Sequence, residues 1–273
     1  MRPMPTTWHH GLVAEWWALF NRDGPEIDYF GRFVAAGQPA LDAGCGTGRL
    51  LIPWLRAGYD VDGCDVSADM IERCRERAAE EELHPQLTVQ ALHQLAPPRR
   101  YRTIVVCGVF GLGSTRQQDT EALRRLHAAL APGGQLVIDN EVPYGDPDSW
   151  ALWPPRARTG LPEAAQPAGE RVPAPDGSER ALRTRVMAMD PLDQSITLEI
   201  AADKWVDGGH VAHETHQLSM RGYFHHELLC MLAGAGFEVV EVHADHEPRP
   251  PVADSRFLVY VCRRGGEARR SES

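Results

Sequence analysis

Acid and glycine alternate in Leu41-Asp42-Ala43-Gly44-Cys45-Gly46-Thr47-Gly48, and the run leads into Arg49-Leu50-Leu51-Ile52. Glycine at every second position lets a strand turn sharply into a helix and brings bare backbone N–H groups close to a ligand. The leading carboxylate selects the ligand. Asp42 repels phosphate and attracts a cation or an ammonium group. The pattern D-x-G-x-G-x-G thus departs from the G-x-G-x-x-G turn that faces a pyrophosphate. Further on, Tyr59-Asp60-Val61-Asp62-Gly63-Cys64-Asp65 reads as a second strand ending in an acid. In nucleotide-binding α/β folds an acid placed there accepts hydrogen bonds from ribose hydroxyls. These residues together are suited to a nucleoside that carries positive charge.

The elements that must position them follow from periodicity. Residues 8–36 read as helical, with Trp16, Trp17, Phe20, Tyr29, Phe30 and Phe33 on an aromatic face broken at Asp23-Gly24-Pro25. Strands are expected near 39–43, 59–65, 86–91, 103–109 and 135–141, with helices from Arg49, from Ser67 and from Asp119 to Leu130. Such alternation argues for a mostly parallel doubly wound sheet covered on both faces. From 142 to 178 the pattern gives way to proline, glycine and alanine, as in a long loop or lid. Three alternating runs follow, 182–189, 195–205 and 210–220, joined by the turn-like DPLDQ and VDGGH, and predict an inserted antiparallel meander. A helix at 225–234 and strands at 237–243 and 256–262 resume the first pattern.

The stretch LDAGCGTGRLL, with DVSADM at 65–70 and LAPGG at 130–134, resembles the class I S-adenosylmethionine (SAM)-dependent methyltransferases. The resemblance spans roughly 38–141 and 222–262. It implies a seven-stranded sheet whose last two strands form an antiparallel hairpin at one edge, with insertions that cover the substrate. On that basis the chain divides into an N-terminal helical lid (1–37), a SAM-binding domain (38–143 and 221–263), an inserted cover or oligomerisation subdomain (144–220) and a disordered tail (264–273).

The resemblance also assigns roles. Asp42, Gly44, Cys45 and Gly46 are expected around the methionine part of SAM, with Asp42 near its amino group and Gly48 letting the helix pack close. Asp65 takes the ribose hydroxyls, and Val66 and Met70 lie against adenine, helix packing being the alternative for Met70. Many relatives end strand three with an acid for the adenine amino group. This chain has Val89-Gln90-Ala91-Leu92-His93-Gln94, so Gln90 or Gln94 would supply a carbonyl oxygen and Leu92 a backbone N–H. Cys107 and Gly108 pass beside the sulfonium.

Methyl transfer from a sulfonium is an in-line displacement, and proximity alone contributes roughly 7–11 kcal/mol. A base is needed only when the acceptor arrives protonated. Glu141 and Tyr223 are the candidates for that role, against surface and packing alternatives. Trp16, Trp17, Tyr144, Arg221, His225 and His226 are candidate acceptor contacts, a tryptophan over the sulfonium gaining perhaps 0.5–2 kcal/mol from cation–π attraction. The Asp139-Asn140 pair resembles the magnesium-dependent catechol-type enzymes. Those also need an acid after strand four, where this chain has Cys107-Gly108-Val109-Phe110, so no metal is expected. His210, His213 and His216 do not suggest a shared metal either, because alternation along a strand turns His213 away from the other two.

Composition narrows the acceptor. Lys and Arg total 28 against 38 Asp and Glu, a net charge of −10 that disfavours nucleic acid. No apolar run approaches ~20 residues, and the N-terminus lacks a signal core, so a cytoplasmic protein without a membrane anchor is expected. The six cysteines are scattered with no C-x-x-C pair, as free thiols. The expected function is methyl transfer from SAM to an N or O atom of a small molecule. A protein-methylating enzyme and a non-catalytic SAM-binding assembly protein are the alternatives. Strand edges on the meander make a homodimer reasonable.

Overall fold

The run Thr103-Ile104-Val105-Val106 is apolar on both sides of its backbone, which suits only a strand covered on both faces. It becomes the centre of the molecule. A computed structural model describes residues 7–167 and 169–265. Residues 1–6 of the expected lid and 266–273 of the expected tail lie outside the described residues.

The first half runs α1 (Gly11–Phe20), α2 (Glu26–Ala36), β1 (Ala40–Ala43), α3 (Leu51–Arg56), β2 (Val61–Asp65), α4 (Ala68–Glu80), β3 (Leu87–Val89), β4 (Tyr101–Val106), α5 (Arg116–Ala129) and β5 (Leu130–Glu141). The second half runs α6 (Pro147–Trp150), β6 (Val172–Pro173), β7 (Glu179–Asp190), β8 (Ser195–Val206), β9 (Gly209–Arg221), α7 (His225–Gly234), β10 (Phe237–Ala244) and β11 (Phe257–Arg264). The main sheet has seven strands in the order β10-β11-β5-β4-β1-β2-β3. Strands β1 to β5 are parallel, and β11 is antiparallel to both β5 and β10. Strand order reverses at the β1–β4 junction, where ligands of open α/β sheets bind at the carboxyl ends.

Each helix covers the sheet with the face its sequence provides. On α4, Met70, Ile71, Cys74 and Ala78 are buried, and the Ser67 hydroxyl caps the helix by accepting from Met70 N–H at 3.2 Å. Helix α5 starts at Arg116, ahead of the expected Asp119, because Thr115 and Gln118 form a capping box. One face of the sheet packs on Leu123, Leu126, Leu228 and Leu232, the other on Phe30, Val34, Leu51 and Trp54.

Strands β6 to β9 form a separate antiparallel sheet. The expected meander is present, longer at its ends, with left-handed Gln194 and Asp207 in its turns. The two-residue β6 was too short to leave a periodic trace. One face of this sheet buries Ile200, Ala202 and Leu218 against Trp8, Leu12 and Val13. Helix α1 has no side-chain cap of its own. Asp69 of α4 and Glu214 of β9 instead each accept a hydrogen bond of 2.8 Å from its first amides, Gly11 N–H and Leu12 N–H. Helix α1 is therefore fastened to α4 and to β9 at once.

Candidate functional site

Beyond the carboxyl ends of β1, β2 and β4 lies a cavity closed from above by Thr7, His9, Trp17 and Asn21. Its floor is the glycine turn. Gly44 has φ of +97°, and a Cβ there would come within 2.5 Å of Val109, so only glycine fits between the turn and the end of β4. Asp65 is buried at the tip of β2, its Oδ2 accepting from Gly46 N–H at 2.9 Å and its Oδ1 from Ser67 N–H at 2.8 Å. A carboxylate has about four lone-pair sites, which leaves acceptor capacity for two hydroxyls. Burial raises its pKa, against the pull of the Ser67, Gly46 and Val66 amides.

Asp42 carries the strongest sign of a missing partner. Its side chain is buried and Oδ2 has no hydrogen-bond partner. Burial pushes its pKa up to about 7 even though the Arg49 guanidinium opposes the shift. A carboxylate oxygen left bare in a cavity is unfavourable unless a cationic or donating ligand meets it. An amino group and a sulfonium supply both, so the residues present fit SAM.

Most residues expected at the cofactor line this cavity: Asp42, Gly44, Cys45, Gly46, Asp65, Val66, Met70, Gln90, Ala91, Leu92, Cys107 and Gly108. Gly48 does not; a Cβ there would come 2.8 Å from Cys74 Sγ, so it serves the packing of α4 against the turn. Gln90 lines the wall, but its Oε1 accepts from Ala96 N–H at 3.1 Å. Lining residues that sequence reasoning gave no role include Arg49, His93, Gln118 and Asp119. Arg49 had a readable signal, a base directly after the glycine turn. His93 Nε2 and Gln118 Nε2 lie 3.4 Å apart across two elements distant in sequence, which no local pattern reveals.

A second cavity lies between the main sheet and the meander. Gly108, Val109, Phe110 and Leu112 line both, so one short segment after β4 separates them. The second cavity is bounded by Asp139, Asn140 and Glu141 at the end of β5 and by Met189, Ile196, Leu198 and Met220 of the meander.

Several expected acceptor contacts are elsewhere. Tyr223 is fully buried and lines neither cavity; its hydroxyl donates to Asp119 Oδ2, which places it behind the cofactor wall. Glu141 reaches the second cavity with its carboxylate held by Arg256 at 2.7 Å. Arg221 also lines that cavity, as a buried clip that pairs with Asp193 and donates to Ser114 O at 2.6 Å. Of the two tryptophans, Trp17 faces the first cavity and Trp16 packs on Phe20 with centroids 4.5 Å apart. Tyr144 is exposed and packs beside Trp150 and Phe224. His225 bonds the Tyr260 hydroxyl at 2.9 Å, and His226 leans on His225, so neither faces a cavity. The helical-lid tryptophans were the one case where a single aromatic pair split between packing and cavity.

Residues 40–134 match a family described as a methyltransferase domain. Over 125 residues the chain is 30% identical to a probable tRNA methyltransferase 9B of Bos taurus, a match covering 44% of this chain and 25% of that one. The chain thus spans about a quarter of the length of that curated relative. Among solved structures, the CcbJ methyltransferase of Streptomyces caelestis superposes with a TM-score of 0.69 at 25% identity, covering 96% of this chain and 99% of that one. The SAM-bound amino pentose methyltransferase CalS10 of Micromonospora echinaspora superposes with a TM-score of 0.57 at 18% identity, over 92% and 95% of the two chains. Fold, glycine turn and family match define the class I SAM-dependent methyltransferases. Residues 40–134 carry a methyltransferase domain, and the fold around it is that of the class whose cofactor is SAM.

Proposed function

We propose that the chain moves the methyl group of SAM to an N or O atom of a small molecule held in the second cavity. The observation that carries this reading is the shared wall. Gly108, Val109, Phe110 and Leu112 line both hollows, so a cofactor in the first and an acceptor in the second would meet along this segment. In this reading residues 7–37 close over the cofactor and the segment within 144–220 roofs the acceptor.

When bound, SAM supplies the electrophilic methyl; the protein supplies alignment and dryness. Asp42 and the turn amides hold the amino-acid end, and Asp65 fixes the ribose. The apolar side chains of Met189, Ile196, Leu198 and Met220 grip the acceptor and exclude water. Holding the reactants at attack distance is the main contribution. For an acceptor that arrives protonated, the Glu141 carboxylate on the cavity wall, paired with Arg256 at 2.7 Å, takes the proton.

The neighbour CalS10 is an amino pentose methyltransferase, which supports a small-molecule acceptor. The net charge of −10 speaks against transfer RNA as the acceptor. The test is incubation with SAM and separate panels of small metabolites and transfer RNA, followed by mass spectrometry. One added methyl on a metabolite, lost in Asp65→Ala, supports the reading. Methylation of RNA alone overturns it.

A further inference from the structure

The outer face of the meander, away from α1, carries Asp203, His210 and His213. In an undistorted strand, residues 210 and 213 would point to opposite faces. The β8–β9 pair is not undistorted. Trp205 pairs with His210 and Lys204 with Ala212, so Val211 is an extra residue on β9. Such a bulge moves every later side chain to the other face. Both rings therefore stand over Asp203, with His210 Nε2 and His213 Nδ1 each 2.8 Å from Asp203 Oδ1.

We propose that Asp203, His210 and His213 form a binding site for a divalent transition-metal ion, zinc fitting best, with water completing the coordination. Two imidazoles and a carboxylate oxygen are the donors that zinc, nickel and copper prefer over magnesium or calcium. All three donor atoms lie within 4.8 Å of one another. The carboxylate is fixed and the rings are reachable: Asp203 is 5% exposed, His210 46% and His213 44%. His213 is further aligned through its other nitrogen, 3.2 Å from Thr215 Oγ1, as ligating imidazoles usually are. Arg183 pairs with Asp203 Oδ2 and leaves Oδ1 for the ion. Its charge, with the Arg185–Glu199 pair one rung along, makes the site a moderate binder rather than a tight one. The ion would tie β9 to β8 across the bulge, where backbone pairing is broken.

The cluster of Cys107, Asp139 and His246 is no match for this site. Asp139 there already accepts from Gly108 N–H at 2.6 Å and meets His246 Nε2 at 2.9 Å. Arg49 also stands against Cys107 Sγ at 3.8 Å, and the sulfonium is expected alongside.

The test uses the full untagged chain after chelator treatment, titrated with zinc by calorimetry and with cobalt by absorption near neutral pH. One zinc per chain is expected, with a tetrahedral cobalt spectrum free of any thiolate-to-cobalt charge-transfer band. His210→Ala with His213→Ala should weaken zinc at least about 100-fold, and Thr215→Val about tenfold. SAM affinity in the double variant should stay unchanged, which shows that it folds. Absence of zinc binding, binding indifferent to the double variant, or a charge-transfer band removed by Cys107→Ser would each overturn the proposal.

Discussion

The main sheet and the meander build their sites by different means. At the ends of β1, β2 and β4 the cavity is built largely of backbone: glycine amides in forced conformations, with Asp65 held by the Gly46 and Ser67 amides beside the unpartnered Asp42 Oδ2. The meander offers side chains on a broad surface, whose facing depends on register and on one bulge. A backbone-built site tolerates little change and keeps its ligand. A side-chain-built site changes its ligand by substitution while the strands remain. That division lets one fold serve many acceptors.

The sharpest way to break this comparison is Asp65→Ala. It removes the ribose acceptor from a rigid site, and SAM affinity measured by calorimetry should fall at least about 100-fold, roughly 2.7 kcal/mol. Arg221→Ala attacks the other side, leaving Asp193 and the Ser114 carbonyl without their buried partner. Loss of about 2–3 kcal/mol of stability is expected in thermal or denaturant unfolding, with SAM affinity changed less than about threefold. A SAM defect as large as that of Asp65→Ala would show that the two regions are not separable.

Proton linkage sharpens the comparison further. The folded Asp42 carboxyl is pushed up to about 7 from an ordinary 3.8, so between those values the folded state holds more protons than the unfolded one. The Asp42 contribution to the free protein's stability should therefore decline as pH rises from 3.8 through about 7. A cationic ligand favours the carboxylate, so SAM should displace the proton. Its affinity should rise by up to about tenfold per pH unit and level off once Asp42 is ionised. Asp42→Asn should flatten that profile and remove the Asp42 contribution to the pH dependence of stability, read as the difference between the two proteins' unfolding curves across this window. The smallest effect is expected for Glu15→Gln, which loosens the α1 contacts to Arg73, Arg180 and Lys204. About 1 kcal/mol of stability is at stake, read as a small drop in melting temperature.

How much of this was legible in the sequence follows the same division. The glycine turn, Asp42 and Asp65 were readable because local spacing alone dictates their backbone shape, and the alternation of strands and helices pointed to a mostly parallel sheet covered on both faces. Even there, the capping box at Thr115 showed that a helix start was three residues earlier than apolar periodicity suggested. Tyr223 was misread because a tyrosine before a helix looks the same whether it faces a ligand or a buried Asp119. His213 was misread for a cleaner reason. Strict alternation excludes a shared face with His210, and only a bulge at Val211, which has no glycine or proline to announce it, reverses the conclusion. Contacts such as His93 with Gln118 join elements whose approach is a tertiary fact.

The claim that matters most is that the wall from Gly108 to Leu112 is where the two hollows meet and where the methyl group crosses. A crystal structure with the demethylated product, S-adenosylhomocysteine, tests it most directly. The expected result is the ribose on Asp65, the amino group on Asp42 and the sulfur turned past Gly108 toward the meander. A sulfur facing the lid, or a nucleoside seated anywhere but on the glycine turn, would contradict it.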